Sequence, residues 1–441
     1  MADRNDSPTP DQPRSGRSPW WSYLFFYVRP PRGLKPSHWK VLGLLGAAYM
    51  VNSYDIGLLA LALPQIQSGL AIPEDQVGTL TGLIRLGVLP ALGLTMLADL
   101  VGRRRLLLIT ILGFTLSTFA TAFVRTQVEF GVLQFLARMF IYAEEMLAIV
   151  VIAEELDAGA RGWGIGVLAA LGAFGHGAAA ALYSVIDYLP YGWRALYLAG
   201  IAPLLVLAWF RRNLRETRRF EEHARRRGTV RAGFEYLRPA RDLLTVYPGR
   251  LALLAAAVVP YWFLASTALQ FQSKFLQEVH GYSPGGVSGL FIFGGAFAMV
   301  GNIVAGALSD RFGRRRVMTS ALVVNLAGTA LFYQAPTWAV PAAWCLMLFA
   351  YFGGEVLFAA LGTELFPTSY RSTASGARSI MGALGGAAGL GFEGWAFDVW
   401  GSHQAAITSM LWVALIPPLV VWFLVPETAT RELEDISPER L

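Results

Sequence analysis

The stretch S-D-R-F-G-R-R-R, residues 309–316, decides how this chain is read, because A-D-L-V-G-R-R-R at 98–105 repeats it. Asp310 follows Asp99 by 211 residues. A second set repeats at 210: Glu154, Arg161 and Gly166 return as Glu364, Arg371 and Gly376. Nine residues before each of those glutamates stands another, Glu145 and Glu355. The chain is therefore built from two related halves.

The sequence between the repeats is apolar. Of 441 residues, 55% are hydrophobic and 15% charged; soluble domains average about 45–50% and about 25%. The apolar residues fall in blocks of about 20, the length that crosses a bilayer. We read twelve spans: 41–63, 76–98, 105–124, 129–152, 163–187, 194–210, 250–274, 284–307, 316–334, 338–362, 373–397 and 404–425. This composition excludes a soluble enzyme, a disulfide scaffold and a disordered chain. The single cysteine, Cys345, excludes an internal disulfide. Without a Walker-A loop, H-E-x-x-H or G-x-S-x-G, nothing points to ATP driving or hydrolysis.

The net charge of +6 does not point to nucleic acid. Residues 211–250 hold 12 Arg against 5 acids, and the rest of the chain sums to −1. A basic block beside spans follows from the positive-inside rule. Arg103, Arg104 and Arg105, the basic loop, and Arg311, Arg314, Arg315 and Arg316 alternate with joints poor in cations. That asymmetry places both termini and the long loop in the cytoplasm. The expected organisation is a cytoplasmic tail (1–40), a six-helix bundle (41–210), a basic cytoplasmic loop (211–249), a second six-helix bundle (250–425) and a tail (426–441). The tail's aromatic residues, Trp20 to Tyr27, suit an interfacial helix or a loose tail equally. Gly-rich stretches at 164–177 and 382–391 are expected to be close helix-packing faces.

Residues 306–315, G-A-L-S-D-R-F-G-R-R, resemble the hallmark loop of the major facilitator superfamily. The first copy departs from it at Thr95 and Leu100. E-L-F-P-T-S-Y-R (364–371) and P-E-T-A-T-R-E-L-E-D (426–435) are similar to motifs of its sugar-porter and metabolite–proton symporter branches. G-W-R (192–194) and L-R-E-T-R-R-F (214–220) resemble the sixth-span boundaries there. The resemblance implies an all-α transporter with two pseudo-symmetric six-helix bundles. It also implies two cytoplasmic clusters that latch the halves. One is Asp99, Arg103, Arg104, Glu154 and Arg161. The other is Asp310, Arg311, Arg314, Arg315, Glu364 and Arg371. Setting topology alone is the alternative role for these charges.

Ionisable groups inside a span are costly and usually face a pathway. At 1.5 Å per residue, Asp55, Arg85, Arg138 and His176 all lie about 21–24 Å from the cytoplasmic ends of their spans. Glu145 and Glu355 lie about 14 Å from theirs. Arg138, Tyr142 and Glu145 share one helical stripe with Ile149, and Glu144 is turned about 100° away. Burial favours the neutral form of a carboxyl group, and a nearby cation favours the charged form. A substrate competing for Arg85 or Arg138 would then link proton uptake to binding. Asp55, Glu145, Glu355 and Glu144 are the candidates for proton coupling. The resemblance adds that Asp55 stands where proton symporters carry an aspartate, although Asn52 and Ser53 depart from the usual string. Arg85, Arg138, Tyr142, His176, Gln270 and Gln272 are the candidates for substrate binding. The plainer alternatives are static ion pairs of Asp55 or of Arg85, and a hydrogen bond from His176 to a neighbouring span.

The expected function is secondary transport of a small polar metabolite, foremost an organic anion, by proton-coupled alternating access. Its partners are the substrate, protons and the bilayer of the cell membrane. No cofactor, metal, nucleic acid or second subunit is expected. A facilitator or exporter of a sugar or organic cation is the first alternative, and a receptor without flux the second. No nucleophile or metal constellation supports an enzyme.

Overall fold

The computed structural model describes residues 34–97, 102–156, 158–211, 238–367 and 370–427. The aromatic stretch near the N-terminus, Asp99 and most of the basic loop lie outside the described residues, as do the side chains of Glu154, Arg161 and Asp310.

Every described element is helical. The first half comprises α1 (Pro36–Leu61), α2 (Leu63–Leu70), α3 (Glu74–Arg85), α4 (Val88–Met96), α5 (Arg103–Thr121), α6 (Gln127–Glu155), α7 (Ala158–Tyr183) and α8 (Trp193–Arg211). The second comprises α9 (Arg238–Val246), α10 (Pro248–Lys274), α11 (Pro284–Phe312), α12 (Arg314–Gln334), α13 (Val340–Glu364), α14 (Arg371–Trp400), α15 (His403–Ser409) and α16 (Ile416–Leu424). Among the described residues, nine helices or helix pairs are long and apolar enough to cross a membrane. The helices α6, α8 and α14 occupy the remaining expected span positions. α6 and α14 are long but carry internal charges: Arg138, Glu144 and Glu145 in one, Arg378 and Glu393 in the other.

Local chemistry sets the helix ends. Thr126 caps α6, accepting from Glu129 N at 3.2 Å, while Glu129 accepts from Thr126 N at 3.4 Å. Ser283 caps α11, with Pro284 in its first turn. Two predicted spans are interrupted. The second breaks at Leu86–Gly87, because Pro90 has no N–H for the Leu86 carbonyl. Leu89 N bonds that oxygen instead, at 3.0 Å. The last passes through a 3-10 stretch, Met410–Leu415, before Pro417 and Pro418.

The Gly-rich stretches are packing faces. Gly172 and Gly175 of α7 press on Tyr49, Met50 and Ser53 of α1. Gly382 and Gly385 of α14 press on Trp262 and Val259 of α10, 210 residues later. A Cβ at Gly175 or Gly385 would collide with a backbone carbonyl. In lipid, where apolar burial gives helices no preference for each other, such close approach supplies the attraction. The repeated turns match as well: Gly102 has φ +102° and ψ 145°, Gly313 φ +99° and ψ 142°. Only glycine adopts that backbone cheaply.

The two halves meet at one end. Gly78 and Gly82 of α3 lie against Ala387, Leu390 and Gly394 of α14. The other part of the same span, α4, scarcely touches α14. The halves therefore close at the end distal to the arginine-rich turns and separate towards those turns.

Candidate functional site

The structure places two clusters of polar side chains, one in each half. In the first, Asp55 of α1 is buried, and Thr118 of α5 donates to its Oδ1 at 3.4 Å. Its Oδ2 has no hydrogen-bond partner among the described residues. Arg138 of α6 is buried within electrostatic range of both Asp55 and Glu145. Glu144 is buried and Glu145 half-buried, as the turn of about 100° between them requires. Tyr142 is half-buried on the Arg138 stripe. His176 of α7 packs on Gly57 of α1, with its Nδ1 3.2 Å from Gly172 O. It stays accessible although it lies among the spans, as a side chain lining a chamber does.

The break in the second span positions the arginines. Gly87 sits so close to α6 that a Cβ there would touch Phe135 O and the Arg138 side chain. Arg85, in the last turn before the break, crosses into the second half. Its guanidinium lies 5.1 Å from the centre of the Trp262 ring. Its Nε lies against Gly386, as does Ser266 Oγ, and has no hydrogen-bond partner among the described residues. Ser266 Oγ is likewise buried and unpartnered. Nearby, Glu355 of α13 pairs with Arg378 of α14 at 3.9 Å and lies within electrostatic range of Arg85. Tyr261 donates to Tyr351 O at 3.0 Å and stacks on that ring.

The expected binding residues separate. Arg85 and Arg138 both flank the tight contact at Gly87. Gln270 lies elsewhere, donating to Leu59 O at 3.3 Å where the halves meet. Gln272 is buried beside it in sequence.

Of the arginine-rich end, the second cluster is the better described. Arg314 Nε donates to Glu364 at 3.0 Å, and Arg314 also bonds Ser309. Glu427 accepts from the backbone N–H of Arg314 at 2.7 Å and of Arg315 at 3.3 Å. A carboxylate on the first turn of α12 complements the helix dipole. Arg311 and Arg315 lie over Phe312 and Trp422, 5.3 Å from each ring centre. Arg371 starts α14. Arg103 and Arg104 start α5, the equivalent helix of the first half.

Four features lay outside the sequence expectation. Asn52, one turn before Asp55, is buried with both amide atoms unpartnered among the described residues. Being uncharged, it escapes a search for ionisable groups. Arg378 and Glu393 are ionisable groups inside the predicted span 373–397, and the cost of charge within a span would have singled them out. Trp262 carries no charge signal. The last is a network at the distal end. Lys274, 2% exposed, bonds Gln67 at 2.5 Å, Glu74 at 2.9 Å and Glu278 at 2.7 Å. His403 bridges Glu74 at 2.8 Å and Glu393 at 2.5 Å. Gln65 donates to Gln277 at 2.8 Å, and Gln277 to Tyr183 at 2.8 Å. Glu74, Gln65, Gln67 and Tyr183 belong to the first half, and their partners Lys274, Gln277 and His403 to the second.

A multi-span helical protein whose halves close at one end around buried charges is a membrane transporter. The chain belongs to the Major Facilitator Superfamily, whose family model matches residues 45–390 and 287–439. It is 26% identical over 414 residues to a probable 4-methylmuconolactone transporter of Cupriavidus pinatubonensis, covering 91% of this chain and 94% of that one. It is 23% identical over 435 residues to the benzoate transport protein of Acinetobacter baylyi, covering 92% and 93%. Its fold matches the crystal structure of a D-xylose–proton symporter with a TM-score of 0.72 at 16% identity, over 88% of this chain and 98% of that one.

Proposed function

We propose that this transporter is a proton-coupled symporter for a small organic acid, with an unsaturated or aromatic carboxylate as substrate. It has twelve spans in two six-helix bundles, with both termini and the arginine-rich turns in the cytoplasm of a cell whose surface membrane holds it. The form described here is then the inward-open one.

One observation carries the substrate reading. Among the described residues Arg85 Nε and the Ser266 hydroxyl have no hydrogen-bond partner, both lie against Gly386, and the guanidinium lies over the Trp262 ring. A guanidinium and a hydroxyl suit a carboxylate, and an indole suits the planar group attached to it. The names of the two relatives, a lactone carrier and a benzoate carrier, agree with such a ligand. In the first half, Asp55 and Asn52 hold buried polar atoms one turn apart without a partner among the described residues, with Arg138 as the nearby cation. A proton on Asp55 would free Arg138, and an anion entering the chamber would take up the released charge. The cytoplasmic clusters would latch the halves when that end closes. In the present form the bonds of Arg314 to Ser309, Glu364 and Glu427 stay within the second half.

Equilibrium binding of benzoate to the purified protein tests this reading. Wild type should saturate. Arg85→Ala should weaken binding about 10- to 100-fold, the worth of one charge-assisted hydrogen bond. Arg85→Lys should recover part of it. An affinity unchanged in Arg85→Ala would rule out this anchor and leave Arg138 as the site.

A further inference from the structure

The distal network contains an arrangement that a neutral histidine cannot satisfy. Both ring nitrogens of His403 face carboxylate oxygens, Nδ1 at 2.5 Å from Glu393 Oε1 and Nε2 at 2.8 Å from Glu74 Oε2. A neutral imidazole has one N–H and one lone pair. One of the two contacts would then set a nitrogen lone pair against a carboxylate lone pair. Closing both contacts requires one more proton, on the ring or on a carboxyl group.

The surroundings fit a held proton. Glu393 has no exposed surface, and its Oε2, packed against Gly78 of the first half, has no hydrogen-bond partner among the described residues. A buried carboxylate oxygen without a donor is costly to keep charged. Glu74 is half-exposed and gives the triad a route to water. Phe271 and Phe397 lie over the His403 ring, 4.7 and 4.4 Å between centres, and shield it. Facing Glu74, His403 and Glu393 are Lys274 from α10, Glu278 from the turn after it, and Tyr333 from α12, whose hydroxyl donates to Ala268 O. Three carboxylates thus share one lysine, and a charged His403 leaves the set one negative charge from neutral.

We propose that the Glu74–His403–Glu393 triad is a proton-binding site that forms only when the distal end closes, so that closure takes up a proton there. The triad joins the halves, because Glu74 comes from the first and the other two residues from the second. It is separate from Asp55, which lies at the centre of the first half. The inference rests on the transporter reading, in which the distal end faces outside and this proton comes from the outer solution.

The sign follows from linkage. The closed form binds more protons than the open form, so acid favours closure. Spin labels on Tyr188→Cys and Trp338→Cys, both on exposed distal loops in different halves, report that closure in a Cys345→Ser background. The distance between labels, measured by electron spin resonance in nanodiscs, should shorten as the pH is lowered. Glu393→Gln should keep the short distance at every pH, since an amide supplies the missing hydrogen. His403→Leu should keep the long one. A wild-type distance that ignores pH, or a Glu393→Gln protein that responds like wild type, would overturn the proposal. Benzoate counterflow on the same samples separates the two readings. Missing counterflow with pH-dependent closure defeats the substrate reading alone, and counterflow with pH-indifferent closure defeats the triad alone.

Discussion

The two halves share a sequence plan and diverge at mid-span. Their turns coincide: Gly102 and Gly313 have φ within a few degrees of each other. Tyr49 and Tyr261 occupy matching helices and lie within electrostatic range of Glu145 and Glu355. Yet α10 carries no acid to match Asp55 of α1, and Leu348 stands where the first half has Arg138. Arg378 stands where the first half has Leu168. The matched positions are those any rocking pair of bundles needs, namely a turn, a close helix contact and a tyrosine beside a glutamate. The unmatched ones put a buried carboxylate near a cation in one half and the proposed carboxylate-binding surface, reached by Arg85, in the other. The proposed division is protons in the first half and substrate anchoring on the second.

Making the halves alike should break that division, in a graded way. Arg138→Leu copies the second half's residue. It leaves Asp55 and Glu145 without the cation that lies within their electrostatic range. Benzoate transport should fall at least 100-fold, measured as initial uptake in proteoliposomes. Arg378→Leu copies the first half's residue. Its ion pair with Glu355 is longer, at 3.9 Å, and partly accessible. Uptake should fall about tenfold or less, consistent with a pair worth about 1 kcal/mol. Gly313→Ala tests the matched turn. An alanine at φ +99° also meets the Glu427 carboxylate, so thermal stability should drop by about 1–2 kcal/mol. The smallest effect is expected of Tyr49→Phe and Tyr261→Phe. They should slow exchange to a similar, small extent, and a large difference between them would deny the matched role.

Much of the fold was legible because span length and turn chemistry are local properties. Apolar blocks of about 20 residues gave the helices, and the glycine-arginine turns repeated almost letter for letter. Pro90 was visible too, but its consequence was not. The break at Leu86–Gly87 depends on which carbonyl loses its donor, and it turns Arg85 towards the other half. In the candidate site, charge within a span singles out Asp55, Arg85, Arg138 and Glu355, and it extends to Arg378 and Glu393 nearer the ends of theirs. Asn52, Ser266 and Trp262 carry no charge, and only the packing of three or more helices marks them. The distal network was illegible for another reason. Glu74, Lys274 and His403 sit at helix ends, where charge is ordinary, and lie 200 and 129 residues apart along the chain.

The central claim is that Asp55 couples protons to organic-acid movement. Benzoate uptake into proteoliposomes, driven only by an imposed pH gradient, tests it most directly. Wild type should concentrate benzoate when the outside is acidic and stop when the gradient is collapsed. Asp55→Asn should still exchange labelled for unlabelled benzoate but fail to concentrate it. Accumulation by Asp55→Asn equal to wild type would contradict the account.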